Sequence, residues 1–280
     1  MSGPLARQPL PGDVLCAADY EAHAQRVMDP GAWAYLHSFA GDGLTVRANR
    51  AGWDELELLP RVLRPLAGLD TGGELLGHRW PTPLLVAPMA VQRLAHADGE
   101  RATTVAAAAA GPGWRRGRPG RGTGTRAARA PTWDDIAWLK EQVRLPLLLK
   151  GVLHPADARE AVARGIDGLV VSNHGGRTLD GACATARALP RIVDAAGGAL
   201  PVLVDGGIRR GTDLAKALAL GAAAVLVGRP VLWGLATAGA AGVAHVLRLL
   251  RDELEVVLAQ CGARSPAELE RSLLHRIDRN

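Results

Sequence analysis

The chain has 280 residues, of which 48% are hydrophobic and 22% are charged. This composition provides enough apolar material for one large domain or two small ones, and it excludes a disordered chain and a collagen-like repeat. The N-terminal sequence lacks the apolar core of a secretory signal, and no uninterrupted apolar stretch reaches membrane-spanning length. The three cysteines are far apart and form no C-x-x-C pair, so we expect reduced thiols in a cytoplasmic protein.

The net charge of +5 has a local origin. Six of the 30 arginines lie between Pro112 and Ala130, where no acidic residue occurs, and the rest of the chain carries 27 basic and 28 acidic residues. A basic segment can bind nucleic acid through phosphate groups. Here the arginines alternate with glycine and proline rather than with aromatic residues, and the body of the chain is nearly neutral. We therefore expect no nucleic-acid partner.

The first part of the chain predicts helices followed by one buried strand. Residues 14 to about 70 have a helical and irregular pattern, in which Tyr20, Ala24 and Val27 share one face of a helix. A short apolar run between prolines, residues 81–90, is typical of a buried strand. An alanine-rich helix follows this strand.

The segment 112–130 interrupts the pattern. It contains no Leu, Ile, Val or Phe, and Trp114 is its only large apolar side chain. It can form neither a buried strand nor an amphipathic helix, so we expect an irregular Arg/Gly-rich insert. Order returns at Thr132, which together with Asp135 forms the capping box of a new helix.

Strands and helices alternate from there to about Leu258. Four runs that are apolar throughout predict strands, each followed by a helix; they span residues 145–152, 168–176, 201–207 and 223–230. Such strands indicate a parallel sheet covered by helices. Polar and glycine-rich residues lie at the C-terminal end of each strand, where a βα barrel carries its active site. We favour a barrel over a doubly wound sheet, because no single crevice of the latter would gather all four strand ends.

The ends of the last two strands predict a phosphate site. The turns DGGIRRG (205–211) and GRP (228–230) each lead into a helix, and they carry Arg209 and Arg229. Backbone N–H groups at a helix N-terminus and guanidinium groups both bind phosphate. The alternative is that these glycines only form tight βα turns.

Four side chains at strand ends are candidates for further chemistry. His174 is a candidate general base, and Arg177, three residues later, can orient a substrate carboxylate. A loop histidine bonded to backbone is the alternative, and we assign it to the other seven histidines. Lys150 needs an anionic partner if it faces the barrel, although it could also be a solvated strand end. Asp205 either caps a turn or binds ligand hydroxyl groups.

The sequence resembles the FMN-dependent α-hydroxy-acid oxidases and dehydrogenases in four C-terminal segments, LLLKGV, VVSNHGGRTLDG, LVDGGIRRGTDLAKALALGA and VLVGRPVLWGLA. That family includes glycolate oxidase, lactate oxidase, lactate monooxygenase and mandelate dehydrogenase. The N-terminal segments DYEAHA, GAWAYLHSFAGDG and LLVAPMAVQRLAHADGERATTVAAAAAG resemble it as well. The likeness covers roughly residues 14–111 and 131–270.

The resemblance implies one domain, residues 1–280, with a (β/α)8 barrel that holds FMN and oxidises a small 2-hydroxy acid, such as lactate or glycolate, to the 2-oxo acid. His174 is then the catalytic base, and it binds the substrate together with Tyr35 and Arg177. Lys150 would lie by the N1/C2 carbonyl region of the flavin. The implied cofactor contacts are Pro88, Met89, Ala90, Lys150, Ser172, Asp205, Gly206, Gly207, Ile208, Arg209, Gly228 and Arg229. The partners are O2 or another electron acceptor and, in a homo-oligomer, further copies of the chain; we expect no metal ion and no membrane partner.

The chain departs from the family before Thr132. The family has three further βα units there, which carry a second substrate tyrosine, the aspartate that orients the catalytic histidine and a second carboxylate-binding arginine. At ~30 residues per unit, about 90 residues are absent, and we count five strands where a closed barrel of this type has eight. We therefore expect an incomplete TIM barrel. One alternative to an active oxidase is an impaired or inactive remnant that binds FMN weakly or not at all. A second is another phosphate-binding barrel enzyme, such as an FMN-dependent isomerase.

Overall fold

The computed structural model describes residues 9–110 and 131–277 of the chain. The helices in these ranges are α1 (Tyr20–Val27), α2 (Pro30–His37), α3 (Leu44–Asp54), α4 (Gly99–Ala110), α5 (Trp133–Gln142), α6 (Pro155–Ala163), α7 (Thr185–Ala196), α8 (Gly211–Ala219) and α9 (Arg229–Cys261). The strands are β1 (Leu56–Leu58), β2 (Gly73–Leu75), β3 (His78–Trp80), β4 (Leu84–Val86), β5 (Leu148–Val152), β6 (Gly168–Val171), β7 (Val202–Val204), β8 (Ala224–Val227) and β9 (Leu274–Arg276).

Five of these strands form one parallel sheet in the order β4-β8-β7-β6-β5. Every residue of β6, β7 and β8 is buried, because both faces of the sheet are covered, and this is why these strands read as continuous apolar runs. The predicted α/β fold with five parallel strands is confirmed. The described residues contain no closed barrel. Two antiparallel pairs, β1 with β9 and β2 with β3, lie outside the sheet.

Helix α9 is the central helix of the core and packs against α1, α4 and α8. It bends at Ala238 and Gly239, whose backbone angles are not helical. A Cβ atom at Gly242 would lie 2.0 Å from the carbonyl oxygen of Gly234. Glycine is therefore required at position 242, where the backbone of α9 packs against the backbone at Gly234. Among the described helices, α9 is the one long and apolar enough to cross a membrane, but 72% of its most apolar window is buried inside the protein, as in a core helix.

Two local predictions can be compared directly with the structure. The capping box of Thr132 and Asp135 is present at the start of α5 and is confirmed. On the predicted face of α1, Tyr20 and Ala24 are buried, whereas Val27 at the end of the helix is 60% exposed. The helix ends at Val27, and the next residue, Met28, takes the inward position instead. The predicted insert, residues 112–130, lies outside the described residues.

Candidate functional site

A cavity of about 280 Å³ lies at the C-terminal edge of the parallel sheet. Each of the five strands, or the loop that follows it, contributes to its wall, through Pro88, Lys150, His174, Asp205 and Gly228. All the predicted site residues except Ser172 line this cavity. The cavity is also lined by six residues that were not predicted: Leu36, Ala87, Val91, Gly175, Leu226 and Leu232. The predicted strand ends therefore meet at one edge of the sheet, whereas the apolar walls of the cavity carry no distinctive sequence signal.

Lys150 has the anionic partner that its position requires. Its Nζ atom lies 2.6 Å from Asp205 Oδ2 and donates to Ser172 Oγ at 2.6 Å. Ser172 is buried, and its Oγ also accepts the backbone N–H of His174 at 3.1 Å. The second carboxylate oxygen of Asp205, Oδ1, is buried and has no hydrogen-bond partner in the described part of the chain. Asp205 is thus both the counter-ion of Lys150 and a free acceptor at the cavity wall.

His174 stands at a turn in which its own backbone is left-handed, with φ of 55°. Partial burial lowers the pKa of its imidazole, the positive charges of Lys150 and Arg177 lower it further, and Asp205 opposes them. The ring is therefore neutral at pH 7 and able to accept a proton. Within residues 9–110 and 131–277, no side chain or backbone group forms a hydrogen bond with this imidazole.

Arg177 and Tyr35 meet at the rim of the cavity. Arg177 Nη1 donates to the carbonyl oxygen of Leu36 at 2.7 Å, which anchors one side of the guanidinium. The guanidinium carbon lies 5.3 Å from the centre of the Tyr35 ring. The Tyr35 side chain is 53% exposed. These contacts leave further N–H groups of Arg177 and the hydroxyl of Tyr35 available for a ligand.

Arg209 and Arg229 form a pair of partly buried cations beside the glycine turns. Arg209 lies over the Trp233 ring, 4.7 Å from its centre, and donates to the carbonyl oxygen of Ile208. Arg229 donates to the carbonyl oxygens of Gly175 and Ser38. Burial and the charge of Arg229 lower the pKa of Arg209 to about 10. Neither guanidinium forms an ion pair with a carboxylate of the described chain, so the pair is suited to an anionic ligand.

Polar groups behind the cavity hold its loops in place. Buried Asn49 and Asn173 exchange two amide hydrogen bonds of 2.8 Å, which join α3 to the His174 loop. Arg50 and Trp53 on the same helix contact the loop after β7. These residues could not be recognised from the sequence, because their partners lie more than 120 positions away in the chain.

The histidines assigned to backbone bonding differ from one another. The Nδ1 atoms of His96 and His154 accept backbone N–H groups, in agreement with that assignment. The assignment is wrong for His245, whose Nδ1 pairs with the hydroxyl of Tyr20 at 2.7 Å because the two helices that carry them are packed together. It is also wrong for His37, which stacks on Trp33 and whose buried Nδ1 has no partner in the described chain.

The sequence profile described as FMN-dependent dehydrogenase matches residues 24–114 and 116–276. The chain belongs to the FMN-dependent dehydrogenase family. It is 37% identical to an L-lactate oxidase of a Nostoc species over 353 aligned positions, which cover 92% of this chain and 97% of that protein. It is 36% identical to glycolate oxidase 1 of Zea mays, covering 93% and 95% of the two chains. A crystal structure of mandelate oxidase superposes with a TM-score of 0.85 at 33% identity, covering 94% of this chain and 98% of that one.

FMN is the cofactor of this family, and the cavity has groups that fit its phosphate and its ribityl chain. The unpaired guanidinium groups of Arg209 and Arg229 suit a phosphate. The free Oδ1 of Asp205 can accept a hydrogen bond from a hydroxyl group of the ribityl chain. Family membership makes the protein an FMN-dependent oxidoreductase of the 2-hydroxy-acid type.

Proposed function

We propose that this protein is an FMN-dependent 2-hydroxy-acid oxidase that converts a small 2-hydroxy acid to the 2-oxo acid and uses O2 as electron acceptor. The observation that carries the proposal is the meeting of a neutral base, His174, and a carboxylate-binding group, Arg177, in the cavity that also contains the arginine pair. The names of its relatives, L-lactate oxidase and glycolate oxidase, support lactate or glycolate as the substrate and O2 as the acceptor.

The cofactor would be held at three places. Arg209 and Arg229 would bind the phosphate, together with the glycine turns Asp205–Arg209 and Gly228. Asp205 Oδ1 would bind a ribityl hydroxyl, while Lys150 and residues 88–90 would line the ring, with Ser172 acting through Lys150. When bound, FMN takes two electrons from the substrate and passes them to the acceptor.

The side chains of this protein would bind the substrate and accept one of its protons. Oxidation of a 2-hydroxy acid to a 2-oxo acid releases two electrons and two protons, and the reduction of O2 to hydrogen peroxide consumes two of each. Arg177 would hold the carboxylate through the N–H groups that Leu36 leaves free, and the exposed Tyr35 hydroxyl would add a hydrogen bond. His174 would accept a proton from the carbinol centre, since its lowered pKa keeps it neutral at pH 7.

We further propose that the fold is an eight-stranded barrel from which about three βα units are absent. In the sheet, β4 is the first strand in chain order and lies beside β8, the last, as in the closure of a barrel. The family profile matches in two pieces that meet at residue 115. The alignment with the Nostoc enzyme has 353 positions, so at least 73 of them have no counterpart in these 280 residues. The cytoplasmic location and the homo-oligomer stay predictions.

One observation favours a second candidate function, a flavin-binding remnant without turnover. In the described chain the His174 imidazole has no orienting partner, and a catalytic histidine without one loses orders of magnitude in rate. Such a remnant would still bind FMN through the arginine pair, because that site does not involve His174.

Turnover and cofactor content together test the proposal. The purified protein is expected to be yellow with one FMN per chain, and to release hydrogen peroxide when glycolate, lactate or mandelate is added. The variant His174→Asn should lose peroxide release by about a hundredfold or more and keep its FMN, whereas His275→Asn, at an exposed histidine of β9, should retain both. A yellow protein with no peroxide release from any of the three acids would favour the remnant. A colourless protein would contradict both candidates.

A further inference from the structure

We infer that Arg50 and Trp53 of α3 are positioning residues for the phosphate of FMN, an inference that rests on the cofactor part of the proposed function. Neither side chain lines the cavity. Both contact the loop that follows β7, residues 205–210, which we name the phosphate loop. Residues 205–209 of the phosphate loop line the cavity, and α3 contacts the side of the loop that faces away from the cavity.

The contacts from α3 orient two peptide groups of the phosphate loop. Trp53 Nε1 donates to the carbonyl oxygen of Gly206 at 2.8 Å, and Arg50 Nη1 donates to that of Gly207 at 2.7 Å. In a trans peptide, the C=O of one residue and the N–H of the next point in opposite directions. The N–H groups of Gly207 and Ile208 therefore point away from α3, and both residues line the cavity. No acceptor in the described chain takes these two N–H groups, which together can bind an anion.

Arg50 also neutralises a carboxylate behind the phosphate loop. Asp213 is buried, and its Oδ2 accepts the backbone N–H groups of Arg209 and Arg210 at 2.8 and 3.0 Å. Arg50 binds both oxygens of Asp213, at 2.6 and 2.7 Å. Burial lowers the pKa of Arg50, but its hydrogen bonds to Asp213 and Asp54 outweigh burial and raise it. Without Arg50, Asp213 would be an unpaired buried anion beside a phosphate site.

The phosphate loop rests directly on α3. Gly207 has φ of 79°, and a Cβ atom there would lie 2.2 Å from the backbone carbonyl oxygen of Asn49. Trp53 is fully buried, and its own carbonyl oxygen accepts a hydrogen bond from Lys216 Nζ. The position of the phosphate loop is therefore set by α3. Loss of the α3 contacts should weaken binding of the phosphate more than binding of the rest of FMN.

Comparison of FMN with riboflavin isolates this role, because riboflavin has the same ring and ribityl chain but no phosphate. The dissociation constants of both are measured from flavin fluorescence on protein freed of its flavin. In Arg50→Gln we expect the FMN constant to rise about tenfold or more, the size expected for lost charge-assisted hydrogen bonds, and the riboflavin constant to change less than about twofold. Trp53→Phe, which keeps the packing and removes one N–H donor, should show the same preference with a smaller effect. Arg47→Gln is the matched control, since Arg47 lies on α3 and donates to the carbonyl of Asp42.

Three results would overturn the inference. One is an equal loss of FMN and riboflavin affinity in Arg50→Gln, which would indicate a general structural role. The second is an unchanged FMN constant in a folded Arg50→Gln protein. The third is a wild-type protein that binds FMN no more tightly than riboflavin. If Arg50→Gln does not fold, Trp53→Phe decides between the same outcomes. Failure of the proposed oxidase reaction would leave these binding constants measurable, so the two failures are distinguishable.

Discussion

Arg177 illustrates at the residue scale how one side chain can serve both the protein and the substrate. Its Nη1 is committed to the carbonyl oxygen of Leu36, and its guanidinium lies against Tyr35. The ammonium of lysine is a single point charge, so it cannot keep the hydrogen bond to Leu36 and also bind a carboxylate in a bidentate manner. In Arg177→Lys we expect KM for the hydroxy acid to rise about tenfold to a hundredfold, with the FMN dissociation constant unchanged.

Steady-state kinetics and a flavin titration check this prediction. Arg191→Lys, at an exposed position of α7, is the control and should behave as wild type. A loss of FMN affinity equal to the rise in KM would instead place Arg177 among the cofactor contacts.

The charge environment of His174 makes a second prediction at this scale. Burial has the largest effect in lowering the pKa of His174, and among the charges that lower it further Lys150 has the largest effect. Asp205 acts in the opposite direction. Removing the ammonium in Lys150→Met takes away the positive charge with the largest lowering effect, while Asp205 stays, so the pKa of His174 should rise. NMR titration of the imidazole in the flavin-free protein measures it, with His174→Gln to assign the signal. Lys140→Met is the control, because Lys140 Nζ lies 3.9 Å from Asp167 Oδ1, and this variant should leave the titration of His174 unchanged. A fall in the pKa of His174 in Lys150→Met would contradict the prediction.

At the scale of elements, α3 joins the His174 loop to the phosphate loop. The side chain of Asn173 is fully used: its Oδ1 accepts from Asn49 and from the Gly176 N–H, and its Nδ2 donates to Asn49 and to the Cys183 carbonyl. In Asn173→Ala these partners, of which Asn49 and Gly176 are buried, would lose their hydrogen bonds. We expect the free energy of unfolding to fall by about 2–3 kcal/mol.

Urea unfolding measures this loss, with Gln260→Ala, at an exposed site of α9, as the control. A loss below about 0.5 kcal/mol, the range of ordinary surface substitutions, would show that the amide pair contributes little to stability.

Sequence patterns could predict the sheet and the edge that carries the cavity, but not the contacts that α3 makes with the loops at that edge. The apolar runs of β4 and of β6 to β8 identify buried strands, and that of β5 identifies a strand at the sheet edge of which only Val152 is buried. Parallel strands bring their polar ends to one edge, so Lys150, His174 and Asp205 could be placed together. The partners of Arg50 outside its own helix, Gly207 and Asp213, lie 157 and 163 positions away in the chain. Nothing local in the sequence distinguishes this arginine from a solvated residue of an amphipathic helix, and only the folded chain reveals its role.

At the scale of the whole molecule, the sheet pairs its first strand in chain order, β4, with its last, β8. Because β4 pairs with β8, all five strand ends face one cavity even though the described sheet has two edge strands, β4 and β5. The sequence predicted the number of strands from their apolar runs. It could not predict how the sheet ends, since pairing across a sheet is set by packing rather than by the composition of one strand.

Three histidines couple the stability of the whole molecule to pH. Burial is the first cause that lowers the pKa of His37, His174 and His245 below the ordinary value of 6.5. Unfolding restores that value, so between the folded and unfolded pKa values the unfolded chain binds more protons. The free energy of unfolding then rises with pH, and the stabilisation is present above pH 6.5 and lost as pH falls through and below it.

Urea unfolding at pH 7.5 and pH 5.5 tests this linkage, and the protein should be less stable at pH 5.5. The interval lies above 4.5, the ordinary pKa of glutamate, so carboxyl groups with lowered pKa contribute little within it. His37→Gln should flatten the dependence, because the buried Nδ1 of that ring has no partner in the described chain, whereas His275→Gln on β9 should preserve it. Equal stability at the two pH values, or greater stability at pH 5.5, would contradict the linkage, because groups whose pKa is lowered by folding destabilise the folded state when protons are added.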